Sequence, residues 1–283
     1  MSGLDIRIAR MLLVTLTVSL FALAASCKTA YGGQNSQRHL IMSGQVVPSG
    51  TKTYVTGVRL GPDSGSVCGG NLISSTHVLT TSHCVVYDLR WVSIGTHFRN
   101  GTIDGEQIKV IAIMKHPNYS DGVKYANDFA ILKLERPSKF QPVKLAAADD
   151  SDFKAGAWAT AMGWGTNVEA NGTNSYELQR VDVQLTSDET CAAYVPIDSS
   201  MVCAGGELNR DTCFGDSGGP LVVEKTGING TVVDILIGLV SWSKNDTCGR
   251  EGYYGVYSRV SNGRTWIDSI LSSNIASGGD LVC

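Results

Sequence analysis

The stretch Gly215-Asp216-Ser217-Gly218-Gly219-Pro220 places a serine within a run of glycines. Glycine has no Cβ, so the backbone can take turns here that other residues obstruct, and a substrate's approach stays open. The N–H groups of Gly215 and Ser217 can then point at a carbonyl oxygen that becomes an oxyanion, usually the largest electrostatic contribution to acyl transfer. Because a serine hydroxyl alone is a poor nucleophile, this stretch predicts a histidine base and a carboxylate elsewhere in the chain.

Two residues supply these partners. His83 ends an apolar run and is followed by Cys84, where a disulfide would fix its backbone. Asp128 precedes segment 129–134, whose composition predicts a buried strand. A buried aspartate beside an imidazole holds the tautomer and stabilises the imidazolium that forms when Ser217 gives up its proton. A glycine-rich surface turn is the alternative interpretation, and the presence of both partners disfavours it.

With the order His83, Asp128, Ser217, the chain resembles the chymotrypsin/trypsin family of serine proteases. The resemblance implies the mechanism of that family, with an acyl-enzyme intermediate. Further matching segments run in register from about residue 41 to residue 274. They are Cys68-Gly69-Gly70-Asn71-Leu72-Ile73, Gly163-Trp164-Gly165, Val202-Cys203-Ala204-Gly205, Ser241-Trp242 and Gly255-Val256-Tyr257-Ser258.

The hydrophobic pattern predicts a mostly β protein. Short apolar and β-branched runs separated by Gly, Asn, Asp and Ser favour antiparallel strands closed into barrels. These runs are 53–60, 77–81, 108–114, 129–134, 157–164, 179–185 and 232–240. One C-terminal helix is predicted, since Trp266, Ile267, Ile270 and Leu271 fall on one helical face.

The resemblance implies an all-β fold of two six-stranded antiparallel barrels, about 41–148 and 149–274, with the site in the crevice between them. His83 and Asp128 would then come from the first barrel and Ser217 from the second. The remaining residues, 275–283, are predicted to form a C-terminal tail.

The N-terminus has the pattern of a secretory signal peptide, residues 1–26. Arg7 and Arg10 precede the apolar stretch 11–23, and small residues follow at 24–26. Residues 27–40 are expected to form a propeptide-like segment. No later segment is apolar enough to cross a bilayer, so we expect a secreted, extracellular protein without membrane contact. A net charge of −3 over 283 residues gives no reason to expect nucleic acid as a partner. We also expect a monomer without a cofactor.

Eight cysteines in an exported chain predict disulfides, and their spacings fit no zinc pattern. The resemblance implies the pairs Cys68–Cys84, Cys191–Cys203 and Cys213–Cys248, the last tying the serine loop to the opposite wall of the pocket. Cys27 and Cys283 are left over. Either they pair and hold a propeptide in place, or Cys27 leaves with the leader.

Five Asn-x-Ser/Thr sequons predict a glycoprotein. Their acceptors are Asn100, Asn118, Asn171, Asn229 and Asn245. Asn245 lies three residues after Trp242, near the expected mouth of the specificity pocket.

Specificity is predicted from Asp211, six residues before Ser217, at the position that forms the pocket floor in the family. A carboxylate desolvated there requires a partner, and a long cationic side chain is the one that reaches it, so the resemblance implies cleavage after Arg or Lys. A surface aspartate in the loop 209–212 is the alternative. Gly255 leaves the shaft of the pocket open.

The segment Ser241-Trp242-Ser243 would form the other wall of the pocket. Ser243 replaces the glycine that the family usually has, and its side chain, with a glycan on Asn245, would narrow the entrance. A second departure concerns calcium. Thr96 occupies a position where the family's calcium loop has a carboxylate and only Glu106 matches, so we expect no bound metal.

Activation is the most serious departure. Family members become active when cleavage frees an N-terminus whose amine pairs with the acid before the serine, here Ile41 and Asp216. The residue before Ile41 is Leu40, and the nearest basic residue is Arg38. A trypsin-like enzyme should therefore not activate itself: either another protease cuts after Leu40, or the protein stays poorly active.

Two functions follow from these patterns. The first is a secreted trypsin-like serine endopeptidase, made as a zymogen, which acts on protein or peptide substrates. The second is a secreted effector, because segment 47–59 and the Leu-Thr-Thr before His83 resemble glucanase-inhibitor proteins of oomycete plant pathogens. That branch uses the protease fold to bind host endo-β-1,3-glucanases, often without a complete triad. This chain keeps all three residues, and fold alone does not decide between the two.

Overall fold

The computed structural model describes residues 44–276 except 168, 170, 171 and 228, and of 274–276 only the backbone. The predicted signal peptide 1–26, the propeptide-like segment 27–40, Ile41 and residues 277–283 of the tail lie outside the described residues. The strands, in chain order, are β1 (Gln45–Val46), β2 (Val55–Arg59), β3 (Cys68–Ser74), β4 (His77–Thr80), β5 (Trp91–Ile94), β6 (Glu106–Lys115), β7 (Ala130–Leu134), β8 (Lys144–Leu145), β9 (Trp158–Gly163), β10 (Gln179–Gln184), β11 (Met201–Gly205), β12 (Pro220–Thr226), β13 (Val232–Ser243) and β14 (Tyr254–Arg259).

The first barrel is closed by antiparallel pairing in the order β2-β3-β4-β7-β6-β5, with β2 also paired to β5. Strands β2 and β4 are buried along their whole length, as expected of strands covered on both faces. The barrel interior is filled by branched aliphatic side chains, which suit a pleated and densely packed surface. The largest fully buried ones are Leu72, Leu79, Ile94, Ile108, Ile131 and Leu132. This confirms the predicted six-stranded barrel.

The second half forms an eight-stranded sheet in the order β1-β10-β9-β12-β13-β14-β11, with β8 parallel to β13. Its six long strands, β9 to β14, are those expected of the second barrel. The outer two of these six strands, β10 and β11, are not paired as strands in the described residues. Just beyond β10 the chain contacts β11 through an isolated bridge, Leu185 to Ala204, and a hydrogen bond from the Thr186 N–H to the Cys203 carbonyl (2.9 Å). The two short strands β1 and β8 come from residues 41–148, the segment expected to form the first barrel.

Two α-helices accompany the sheets. Helix α1 (Asp188–Tyr194) begins at Ser187, whose side chain accepts a hydrogen bond from the Thr190 N–H, and has two acidic residues in its first turn. Helix α2 (Val260–Ala276) is the predicted C-terminal helix. At Gly263 a Cβ would lie 3.0 Å from the Phe129 ring, so α2 packs closely against the residue that leads into β7.

Hydrogen bonds join the two barrels directly. The Gly69 N–H donates to the Ser217 carbonyl (2.7 Å), and Asn71 Nδ2 donates to the Gly218 carbonyl (3.0 Å). A Cβ on Gly69 would lie 2.7 Å from the Gly219 nitrogen, closer than real side chains approach. Glycine at position 69 is therefore required for the serine loop to lie against the first barrel.

Three disulfides connect the pairs that the family resemblance implied, which confirms that prediction. They are Cys68–Cys84, Cys191–Cys203 and Cys213–Cys248. Cys27 and Cys283 lie outside the described residues. Across the described ranges, no helix has the length and apolarity that a bilayer crossing requires.

Packing of the first barrel gives a testable prediction. Ile131 on β7 is fully buried, whereas Ile111 on β6 is 55% exposed. Ile131→Ala should lower the free energy of unfolding by about 2–5 kcal/mol, because it removes buried methyl groups and leaves a cavity. Ile111→Ala is the matched control and should change it by about 0.5 kcal/mol or less. Urea unfolding followed by tryptophan fluorescence measures both, and equal losses would contradict this assignment of the core.

Candidate active site in the crevice

Asp128 is a fully buried carboxylate surrounded by donors from both barrels. Its Oδ2 accepts hydrogen bonds from Nδ1–H of His83 (2.7 Å) and from Oγ–H of Ser241 (2.6 Å). Its Oδ1 accepts from the backbone N–H of His83 (2.9 Å), and its carbonyl accepts from Ser258 Oγ (3.0 Å). The carboxylate thereby fixes both the ring orientation and the tautomer of the histidine.

His83 lies in a 3₁₀ turn, Ser82–Val86, that follows β4. The turn is anchored by the Cys68–Cys84 disulfide, as the sequence suggested. The side chain of His83 remains 21% exposed and faces the crevice, with the ring of Tyr125 edge-on at 5.9 Å between centroids. Its Nε2 is therefore placed to act on a group in the crevice.

The serine loop requires glycine at two positions. Gly215 has φ +98° and Gly218 has φ +79°, both in the left-handed region that favours glycine. A Cβ on Gly218 would lie 2.3 Å from Thr80 Oγ1, and one on Gly215 would lie 2.3 Å from Asn174 Nδ2. The loop is thus shaped by close contacts as well as by backbone freedom.

The backbone N–H groups of Gly215 and Ser217 donate no hydrogen bond to any described residue. Both residues are partly exposed, so these two donors are available to a ligand's oxygen. Ser217 Oγ likewise has no hydrogen-bond partner within the described ranges, although Ser217 and His83 line the same cavity. Catalytic hydrogen bonds in unliganded proteins are often long and tighten when a substrate binds.

The cavity beside Ser217 has a volume of about 200 Å³. It brings together all the residues that the sequence assigned to the triad's base, the nucleophile and the specificity pocket. These are His83, Asp211, Ser217, Ser241, Trp242, Ser243 and Gly255. Asp128 does not line the cavity, but it accepts hydrogen bonds from two residues that do, His83 and Ser241.

Asp211 is buried in the cavity with 2% of its surface exposed. Its two oxygens accept hydrogen bonds from the N–H groups of Thr212 (2.8 Å) and Gly249 (3.0 Å). Desolvation by burial raises the pKa of Asp211 to about 7, and the nearby Asp216 adds to this. A cation that enters the cavity would stabilise the ionised carboxylate.

Asp216 is completely buried, and this desolvation raises its pKa to about 6. It accepts hydrogen bonds from the N–H groups of Gly165 (2.7 Å) and Cys213 (2.9 Å). A Cβ on Gly163 would lie 2.2 Å from its Oδ1, so the carboxylate sits tightly against the Gly-Trp-Gly segment. Its expected activation partner, the amine of Ile41, lies outside the described residues.

Two aromatic side chains at the cavity, Tyr125 and Phe214, were not assigned from the sequence. The Tyr125 ring stacks on the Trp242 ring, with centroids 6.0 Å apart and an interplanar angle of 28°. Phe214 lines the cavity and is 51% exposed. Tyr125 precedes Asp128 by three residues and Phe214 precedes Ser217 by three, so their proximity to the triad in sequence was the available signal.

The two residues compared with the family's calcium loop, Glu106 and Thr96, each bind other protein groups. Glu106 accepts from the Lys139 N–H (2.9 Å) and pairs with Arg136 (3.1 Å). Thr96 Oγ1 donates to Asp104 (2.6 Å). In the part of the chain that the structure describes, no group of three His, Cys, Asp or Glu side chains is arranged to hold a metal ion.

The predicted glycosylation sites differ in exposure. Asn118, Asn229 and Asn245 are exposed, Asn100 is half-buried, and Asn171 lies outside the described residues. Asn245 is close to the crevice, since it lines a second depression together with Tyr125 and Trp242.

Comparison with known proteins agrees with this geometry. Residues 41–267 match the family model described as Trypsin. The chain is 52% identical over 235 residues to a protein named glucanase inhibitor protein 3 of Phytophthora infestans, covering 82% of this chain and 89% of that protein. It is 49% identical over 259 residues to glucanase inhibitor protein 2 of the same organism, covering 89% and 98%. It is 44% identical over 261 residues to glucanase inhibitor protein 2 of Phytophthora sojae, covering 92% and 89%. A closed barrel, a second antiparallel sheet, a C-terminal helix and a family match over most of its length together show that this chain belongs to the trypsin family.

Proposed function

We propose that this chain is a secreted glucanase inhibitor, a trypsin-fold protein that binds an endo-β-1,3-glucanase of a host plant and blocks it. The observation that carries this proposal is its identity of 44–52% to relatives named glucanase inhibitor proteins, over 82–92% of its length. These comparisons favour inhibition over the endopeptidase function that the triad first suggested. The expected export of the chain agrees with its three disulfides.

The surface around the crevice suits a protein partner. Aromatic residues are enriched in protein interfaces and supply many of their energetic hot spots. Val86 and Tyr87 follow His83 closely, and Phe214 precedes Ser217. Tyr87 and Phe214 are about half exposed, and Val86 is more exposed. A stable complex buries about 800 Å² on each partner, far more than the cavity beside Ser217 offers, so the partner must also contact the rim of the crevice.

A serine endopeptidase is the second candidate, and the contact between His83 and Asp128 is the observation that favours it. In this hypothesis Ser217 is the nucleophile, His83 the general base and Asp128 the group that orients it. The N–H groups of Gly215 and Ser217 would form the oxyanion hole. Cleavage after Leu40 would free the amine of Ile41 to pair with Asp216. Asp211 would then select substrates with Arg or Lys on the acyl side of the cleaved bond.

Inhibition is tested by mixing the purified secreted protein with a panel of plant endo-β-1,3-glucanases and measuring laminarin hydrolysis and co-elution. Ser217→Ala should inhibit as well as the unmodified protein, within about twofold, because a binding surface loses only one hydroxyl. An unrelated trypsin-family zymogen serves as the fold control. If neither form slows any glucanase at micromolar concentration, the proposal is wrong.

Hydrolysis is tested on protein whose N-terminus is Ile41, with Arg- and Lys-ester substrates and a fluorophosphonate label. Ser217→Ala and His83→Ala should each lower kcat by roughly 10⁴-fold or more, and by similar factors, because base and nucleophile act as one unit. Lys154→Ala is the matched control, because this exposed lysine lies more than twenty residues along the chain from each member of the triad. Correctly processed protein that takes up no label would remove the endopeptidase candidate.

The pKa of Asp211 predicts how the cavity responds to pH. Benzamidine, an amidine cation, should bind well above pH 7, where Asp211 is ionised, and about tenfold more weakly for each pH unit below its pKa of about 7. Asp211→Asn should bind it weakly at every pH, whereas Ser217→Ala should retain the pH profile. Calorimetric titration between pH 5 and pH 9 measures this, and an affinity independent of pH would contradict it.

A further inference from the structure

The sequon at Asn245 lies at the edge of the crevice, in the short turn Lys244–Asp246. Asn245 is exposed and has a left-handed backbone, φ 57° and ψ 26°. The turn follows β13 directly, so Asn245 stands two residues beyond the strand that carries Ser241 and Trp242.

The depression beside Asn245 has a volume of about 480 Å³. This lies within the range of about 300–1,000 Å³ typical of sites for small ligands. It is mostly apolar, and its floor contains the stacked rings of Tyr125 and Trp242, with Val123 and Pro196 beside them. Aromatic faces of this kind pack well against the C–H faces of sugar rings.

We propose that Asn245 carries an N-linked glycan whose first sugars lie over this depression and shield one side of the crevice. The acceptor is in the right place for this, because Asn245 itself lines the depression. The other described sequons are not among its lining residues. Glycans are bulky and hydrophilic, so one attached here restricts access by a protein while small molecules still reach Ser217.

The structure also shows the setting of the hydroxyl residue of the sequon. Thr247, the hydroxyl residue of the sequon, is 7% exposed and donates to the Lys244 carbonyl (2.7 Å). Its neighbour Cys248 is bonded to Cys213, 35 residues away. Thr247 is therefore held inside this loop in the folded protein.

The test uses the full-length chain secreted from insect cells, with glycopeptide mass spectrometry at Asn245. Shielding is measured by the acylation rate of Lys124 with a bulky succinimidyl ester. Lys124 lines the depression and its Nζ lies 4.8 Å from the Tyr125 ring centroid. Lys225, which pairs with Asp152, is the internal reference. Neither readout requires glucanase binding or hydrolysis, so failure here is distinct from failure of the proposed function.

We expect Asn245 to be occupied and Lys124 to react several-fold more slowly than in Asn245→Gln. Thr247→Ser keeps the sequon, so its Lys124 should react as slowly as in the parent sequence. Asn229→Gln removes a sequon that is not at the depression, so Lys124 should also react slowly in this variant. Lys225 should react equally in all variants. An unmodified Asn245, or equal Lys124 rates in Asn245→Gln and the occupied protein, overturns the proposal.

Discussion

The carboxylate of Asp128 is a charge held away from water, and its donors come from both halves of the molecule. His83 approaches from the first barrel and Ser241 from the second, and each donates to the same oxygen. Removing one partner of such a group leaves a buried charge uncompensated, which typically costs about 3–5 kcal/mol. The barrels must therefore pack in the orientation that brings these donors together, and this orientation creates the crevice.

Glycine makes the same packing possible at the backbone level. Gly69 in β3 and Gly219 beside Ser217 approach so closely that a single Cβ would separate them. The buried Asp216 takes a further role, because its hydrogen bonds to Gly165 and Cys213 draw the serine loop against the second sheet. The close approach of Gly69 to Gly219 and the hydrogen bonds of Asp216 thus hold Ser217 in position.

Much of the fold followed from local patterns in the sequence. The alternating run in 108–114 became β6 and the compact apolar run in 129–134 became β7, each within one or two residues of its expected bounds. The family motifs placed His83 and Ser217 at one cavity. These predictions succeed because strand periodicity and glycine-rich turns are encoded by neighbouring residues.

What the sequence did not reveal depends on contacts between distant residues. Tyr125 and Trp242 are far apart in the chain, so no periodicity indicates that their rings stack. The incomplete closure of the second sheet depends on where the chain turns away into α1, and the pairing of β8 with β13 depends on the whole fold. Two residues of the triad also differ in their contacts. Asp128 accepts hydrogen bonds from both barrels, whereas the hydroxyl of Ser217 has no partner within the described residues. Replacing the Ser217 side chain would therefore disturb few contacts, whereas replacing Asp128 would remove the acceptor that both barrels share. A lineage that turns to another task can lose the nucleophile by drift and still inherit the complete architecture.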